Sequence, residues 1–161
     1  MYTVSATTRA KKPGDEDKKT YDHISEGEFF RRLDGDEFLE YAQVYGHYYG
    51  TPKHPAIDQL ESGSDVLLEI DVQGALQVRY QYPRALLIFI LPPDEATLLQ
   101  RLTDRGRDTA DELGSRYRNA KREIQMAKGS RAFDYMVINA DLERAVDEIK
   151  TIIRHKRSAG I

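Results

Sequence analysis

Ala85-Leu-Leu-Ile-Phe-Ile-Leu91 is the most apolar run in the chain, and Pro92-Pro93 stops it. It is far shorter than the roughly 18 residues of a membrane span and shows no polar alternation, so it reads as a strand buried on both faces, as strands of parallel sheets are. Val66-Leu-Leu-Glu-Ile-Asp71 and Tyr135-Met-Val-Ile-Asn139 are two more short strand candidates, each followed by helical periodicity. Strands alternating with helices predict a wound α/β core. Leu113, Tyr117, Ala120, Ile124 and Ala127 recur every three or four positions, as do Leu142, Ala145, Val146, Ile149 and Ile153, which predicts two amphipathic helices. Ser25-Glu-Gly-Glu28 fits a capping box that opens a short helix through Phe29, Phe30 and Leu33 and ends near Gly35. From Asp36 to Tyr49 the chain alternates weakly and is rich in tyrosine, which suggests a small mixed sheet inserted beside the apolar core. Ala10 to Thr20 is a charged loop with a turn at Pro13-Gly14.

A chain of 161 residues with 40% apolar side chains is long enough for one globular domain with a sizeable core. Met1-Tyr2-Thr3 lacks the charged and apolar regions of a signal peptide, and the expected setting is the cytoplasm. With no cysteine there are no disulfides or thiolate metal sites, and His23, His47, His54 and His155 show no ligand spacing, so no metal site is expected from protein ligands. The net charge of −3 argues against general attraction to nucleic acid or to an anionic membrane. Any phosphate must be held by a local cluster.

Candidates for such a cluster lie early in the chain. A monophosphate dianion needs several converging donors, because one exposed Lys or Arg contributes at most about 1 kcal/mol in water. Arg9 can act as a bidentate fork, Lys12 as a point charge, and Tyr21 and Tyr49 as hydroxyl donors. Glu40 and Asp71 are carboxylates suited to the N1–H and N2–H₂ donors of guanine, with Ser5 and Thr51 as hydroxyls. Adenine lacks the N1 proton, so it would leave a buried carboxylate unpaired at a cost of about 1 to 3 kcal/mol or more.

Ser5-Ala-Thr-Thr-Arg9, Phe38-Leu-Glu-Tyr41, Tyr48-Tyr-Gly-Thr51, Leu68-Glu-Ile-Asp-Val-Gln-Gly74, Leu91-Pro-Pro93 and Val137-Ile-Asn139 run in one order along nearly the whole chain. Together they resemble the blocks of guanylate kinase, a nucleoside monophosphate kinase. The resemblance implies an α/β, P-loop-kinase-like parallel sheet with a small mixed-sheet GMP-binding insertion at about residues 7–60 and a helical lid at about 103–120, all within a single domain. It implies that Ser5, Glu40, Thr51 and Asp71 recognise guanine and that Arg9, Lys12, Tyr21 and Tyr49 hold the GMP phosphate. Arg101, Arg105 and Arg116 would close over the transferring phosphoryl group, and Asn139 would lie near the adenine of ATP. In plainer terms, Asn139 would be a helix cap before Asp141, and the arginines solvated residues on helix faces. Two positions depart from the family pattern. It usually has a second arginine where this chain has Lys12, which keeps the charge and loses the planar fork. It commonly has a small hydroxyl residue where Arg107 stands.

The family also carries a G-x-x-x-x-G-K-[ST] loop for the ATP phosphates and Mg²⁺, within a strand, loop and helix of roughly 30 residues ahead of the Ser5 block. No such run occurs in these 161 residues. The expectation is therefore a guanylate kinase, acting on GMP with ATP and Mg²⁺ and represented by an N-terminally incomplete chain; no residue obviously reads the 2′-hydroxyl, which leaves the choice between GMP and dGMP open. Such a chain would bind GMP and be impaired in catalysis, with sheet edges left unpaired. The alternatives are a guanylate-kinase-like binding module for a phosphopeptide and a protein that sequesters GMP.

Overall fold

Tyr45 and Gly46 both take positive φ, 51° and 80°, and turn the chain through a tight hairpin whose twist suits the strands on either side. That hairpin belongs to the first of two compact units, Met1–Gln81 and Tyr82–Ile161. The structure is a computed structural model and describes residues 3–11, 21–104 and 110–158.

The first unit runs β1 (Ser5–Thr7), β2 (Tyr21–His23), α1 (Glu26–Asp34), β3 (Phe38–Val44), β4 (His47–Pro52), α2 (Lys53–Glu61) and α3 (Val72–Gln81). Its sheet has the order β2-β1-β4-β3, with β1 parallel to β2 and the other pairs antiparallel. This is the mixed sheet expected around Asp36–Tyr49, and it also takes in Ser5–Thr7 and Tyr21–His23. Ser25 caps α1, accepting from the Glu28 backbone N–H at 3.1 Å. The Glu28 carboxylate turns to Arg31 and Arg32 at 2.8 and 2.7 Å. Gly35 ends the helix as expected. Phe29, fully buried on α1, stacks on Phe38 with ring centres 4.6 Å apart. With Ala6 they form a core that Ile24, Leu33 and Tyr48 complete.

Val66–Asp71 corrects the sequence reading. It is extended but carries only one bridge residue, Leu67, which is 62% exposed. An apolar run shows that a segment suits a sheet; a strand also needs a partner for its backbone groups, and among the described residues this one has no ladder.

The second unit comprises β5 (Ile88–Leu91), α4 (Glu95–Asp104), α5 (Ala110–Ser130), β6 (Tyr135–Ile138) and α6 (Leu142–Ser158). β5 and β6 pair in parallel, Ile88 beside Tyr135 and Leu91 beside Ile138, as the apolar runs predict. Burial on both faces is not what the described residues show. Ala145, Ile149 and Ile152 of α6 pack with Val137, Ile88 and Leu86, whereas Ile90 and Ile138 stay 52% and 55% exposed. The composition of a strand permits cover on both sides, and the layers packed on it decide how much it receives. Both predicted long helices are present, but their stripes differ from the expectation: Leu142 is exposed, and of α5 only Ala127 is buried. The cap of α6 is Asp141, whose Oδ1 accepts from the Arg144 N–H at 2.9 Å, so Asn139 does not serve as that cap. No helix among the described residues is long and apolar enough to cross a membrane.

Candidate functional site

The register of β3 on β4 sets Glu40 opposite Thr51. Thr51 Oγ1 donates to Glu40 Oε1 at 2.6 Å, and Ser5 Oγ lies 3.3 Å from Thr51 Oγ1, so the end of β1 joins the same chain of polar groups. Thr51 is fully buried and Glu40 is 5% exposed. Room for the carboxylate comes from Gly74 on α3, where an added Cβ would lie 2.9 Å from Glu40 Cδ. Asp71 caps the same helix, with its Oδ1 accepting from the Gly74 N–H at 2.8 Å and its Oδ2 from Gln73 Nε2 at 3.2 Å. Burial raises the Glu40 pKa above the ordinary glutamate value; the Thr51 hydroxyl bond opposes this, and the charge of Asp71 adds to it. The four residues expected at guanine thus come together as two hydroxyls and two carboxylates, an acceptor-rich cluster that favours a ligand edge with several N–H donors.

A second group forms around Arg9. Its backbone N–H donates to Thr7 Oγ1 at 3.1 Å, and Nη1 donates to the Ala10 carbonyl at 3.0 Å. The guanidinium carbon lies 5.8 Å from the centre of the Tyr21 ring, and Tyr21 meets Tyr49 edge-on at 5.7 Å. Arg9, Tyr21 and Tyr49 are therefore brought together; Lys12 lies outside the described residues. His23 is a member that sequence reasoning missed. Its Nδ1 donates to the Arg9 carbonyl at 2.7 Å and ties the segment that follows β1 to β2. The signal available was strand periodicity, which sets His23 on the same face as Tyr21.

In the second unit, Arg101 and Asn139 line one pocket with Ile90, Leu91, Pro92, Leu98 and Leu102. The Asn139 N–H donates to the Leu91 carbonyl at 2.8 Å, which extends the β5–β6 pairing to the rim. Arg116 is half-buried on α5, while Arg105 lies outside the described residues, as does Arg107. Glu95 accepts from Tyr117 Oη at 2.8 Å and pairs with Lys121 at 2.9 Å, joining α4 to α5. Among the described residues no three His, Asp or Glu side chains gather as they would around a metal ion.

The first unit thus carries an acceptor-rich cluster on a mixed sheet, and the second an apolar pocket at the ends of parallel strands. The crystal structure of guanylate kinase from Anaplasma phagocytophilum matches with a TM-score of 0.81 and 32% identity, over 97% of this chain and 75% of that one. Residues 1–156 match the guanylate kinase family model. Guanylate kinase of Caldanaerobacter subterraneus subsp. tengcongensis is 45% identical over 94% of this chain and 72% of its own length. That of Thermotoga maritima is 41% identical over 98% and 75%. The chain belongs to the guanylate kinase family.

Proposed function

We propose that this chain binds GMP in its first unit and, with ATP as donor, belongs to the reaction that converts GMP to GDP. Glu40 and Asp71 accept from N1–H and the N2 amino group, and the hydroxyls of Ser5 and Thr51 complete the base contacts. Arg9, Lys12, Tyr21 and Tyr49 hold the phosphate, leaving one of its oxygens to attack the γ-phosphorus of ATP as the bond to ADP breaks. Arg101, Arg105 and Arg116 balance the charge that spreads over the transferring group, and Asn139 faces the adenine. dGMP fits the same contacts.

The buried Glu40 carboxylate bonded to Thr51 carries this reading, because a surface that merely bound phosphate would have no use for it. For the same reason the phosphopeptide alternative finds no support in the site. The family implies ATP and Mg²⁺, which supplies charge at the phosphates. Among the described residues no cluster of carboxylates would hold the ion. The loop that would cradle ATP is not among these 161 residues, and a polypeptide of this sequence alone is expected to bind GMP without turnover. Calorimetry with GMP and AMP tests the assignment: GMP binds more tightly by about 1 to 3 kcal/mol, and equal affinities overturn it.

A further inference from the structure

Among the described residues β3 is the outer strand of its sheet, and the Tyr41 N–H and carbonyl and the Leu39 carbonyl find partners on α3. Such an edge is ordinarily finished by water or by another strand. Here α3 finishes it with side chains. Gln77 takes both backbone groups of Tyr41: the Tyr41 N–H donates to Oε1 at 3.2 Å, and Nε2 donates to the Tyr41 carbonyl at 2.6 Å. Gln81 Nε2 donates to the Leu39 carbonyl at 3.3 Å. The spacing is complementary, since four helical residues rise about 6 Å and two strand residues about 6.7 Å. Two glutamines four apart on a helix can therefore bond alternate residues of a strand.

Tyr41 follows Glu40, and Gln77 is one turn beyond Gly74, against which the Glu40 carboxylate packs. The exchange of two bonds between one amide and one residue fixes how far α3 slides along β3. That position sets where the first turn of α3, with Asp71 as its cap, stands relative to Glu40. We propose that Gln77 is a positioning residue for base selectivity: it holds α3 in register with β3 and thereby fixes the separation of Glu40 and Asp71. The proposal rests on the GMP reading above.

The test compares GMP and AMP affinities by calorimetry in the parent protein and in Gln77→Leu, which keeps the size and removes both bonds. GMP affinity is expected to fall about tenfold, the scale of two net hydrogen bonds, while AMP, which cannot use the carboxylate pair, changes by less than about twofold. A loss shared equally by GMP and AMP gives Gln77 a purely structural role and overturns the proposal, as does an unchanged GMP preference. A parent protein without GMP preference overturns the GMP reading itself, and this proposal with it. Should Gln77→Leu fail to fold, Gln77→Glu retains the acceptor for the Tyr41 N–H. It is expected to lose about threefold for GMP alone, and the same outcomes decide.

Discussion

Thr51 Oγ1 donates to Glu40 Oε1 at 2.6 Å, at a point where the carboxylate is almost wholly removed from water. The bond opposes part of the desolvation and leaves the pKa of Glu40 raised. In its ionised form Glu40 is a charge that the fold alone stabilises poorly and that a donor-rich ligand can satisfy.

Glu40→Gln separates those two roles. With its pKa raised on folding, Glu40 binds its proton more tightly in the folded state. Stability thus falls as pH climbs from the ordinary value of 4.5 through the raised one, and the whole penalty stands above that window. Glutamine keeps an acceptor for Thr51 and carries no charge. The variant should melt higher than the parent at pH 7, by a margin that shrinks at pH 4, and lose about 1 to 3 kcal/mol of GMP preference over AMP. Thermal melts at both pH values, with calorimetry, check this; a lower melting temperature at pH 7 would contradict the account.

Gly74→Ala should push directly on the same carboxylate. A Cβ within 2.9 Å of Glu40 Cδ forces the side chain or α3 to move, and overpacking of this kind costs about 1 to 3 kcal/mol. Shortening the acid relieves the clash, so in Glu40→Asp the added Gly74→Ala should cost measurably less than it does alone. Additive losses in a double-mutant cycle of urea unfolding would mean that the two residues do not press on each other.

The class of fold was readable because parallel pairing follows from apolar runs such as Ile88–Leu91, and capping from Ser25, both local properties. The grouping of Glu40, Thr51, Ser5 and Asp71 was implied by the resemblance of the blocks that carry them, since side-chain types alone do not single these four out among the chain's many carboxylates and hydroxyls; the structure places the four near one another. What could not be read were residues whose part depends on a neighbour distant in sequence. Gly74 matters only because β3 delivers Glu40 to it, and Gln77 only because the edge of β3 faces α3. Val66–Asp71 has the composition of a strand, and pairing is a property of two segments.

Arg9→Ala tests the phosphate group. Arg9 stands beside Tyr21 with its carbonyl held by His23, away from the Glu40 cluster in the bonding pattern. Losing it should weaken GMP by about 1.5 to 3 kcal/mol, the range for hydrogen bonds to charged groups, and leave guanosine nearly unchanged. Lys12→Arg should tighten GMP modestly by supplying a planar fork. Equal losses for GMP and guanosine in parallel titrations of Arg9→Ala would remove Arg9 from the phosphate site.

Turnover is the remaining question, and the pocket shared by Arg101 and Asn139 frames it. Positioning and electrostatics supply most of the catalysis in phosphoryl transfer, so a donor with no loop around its phosphates gains little. The 161-residue polypeptide should bind GMP and release no detectable ADP in a coupled assay. Fused behind the strand, G-x-x-x-x-G-K-[ST] loop and first helix of a complete guanylate kinase, it should turn over. In that fusion Arg116→Ala should lower kcat by about a thousandfold or more, the scale of removing an arginine from the transferring group. Arg101→Ala should act on the ATP side, leaving GMP affinity measured without ATP unchanged. GMP-dependent ADP release by the unfused polypeptide, purified free of host kinase and abolished by Arg116→Ala, would show that these residues grip ATP in another way.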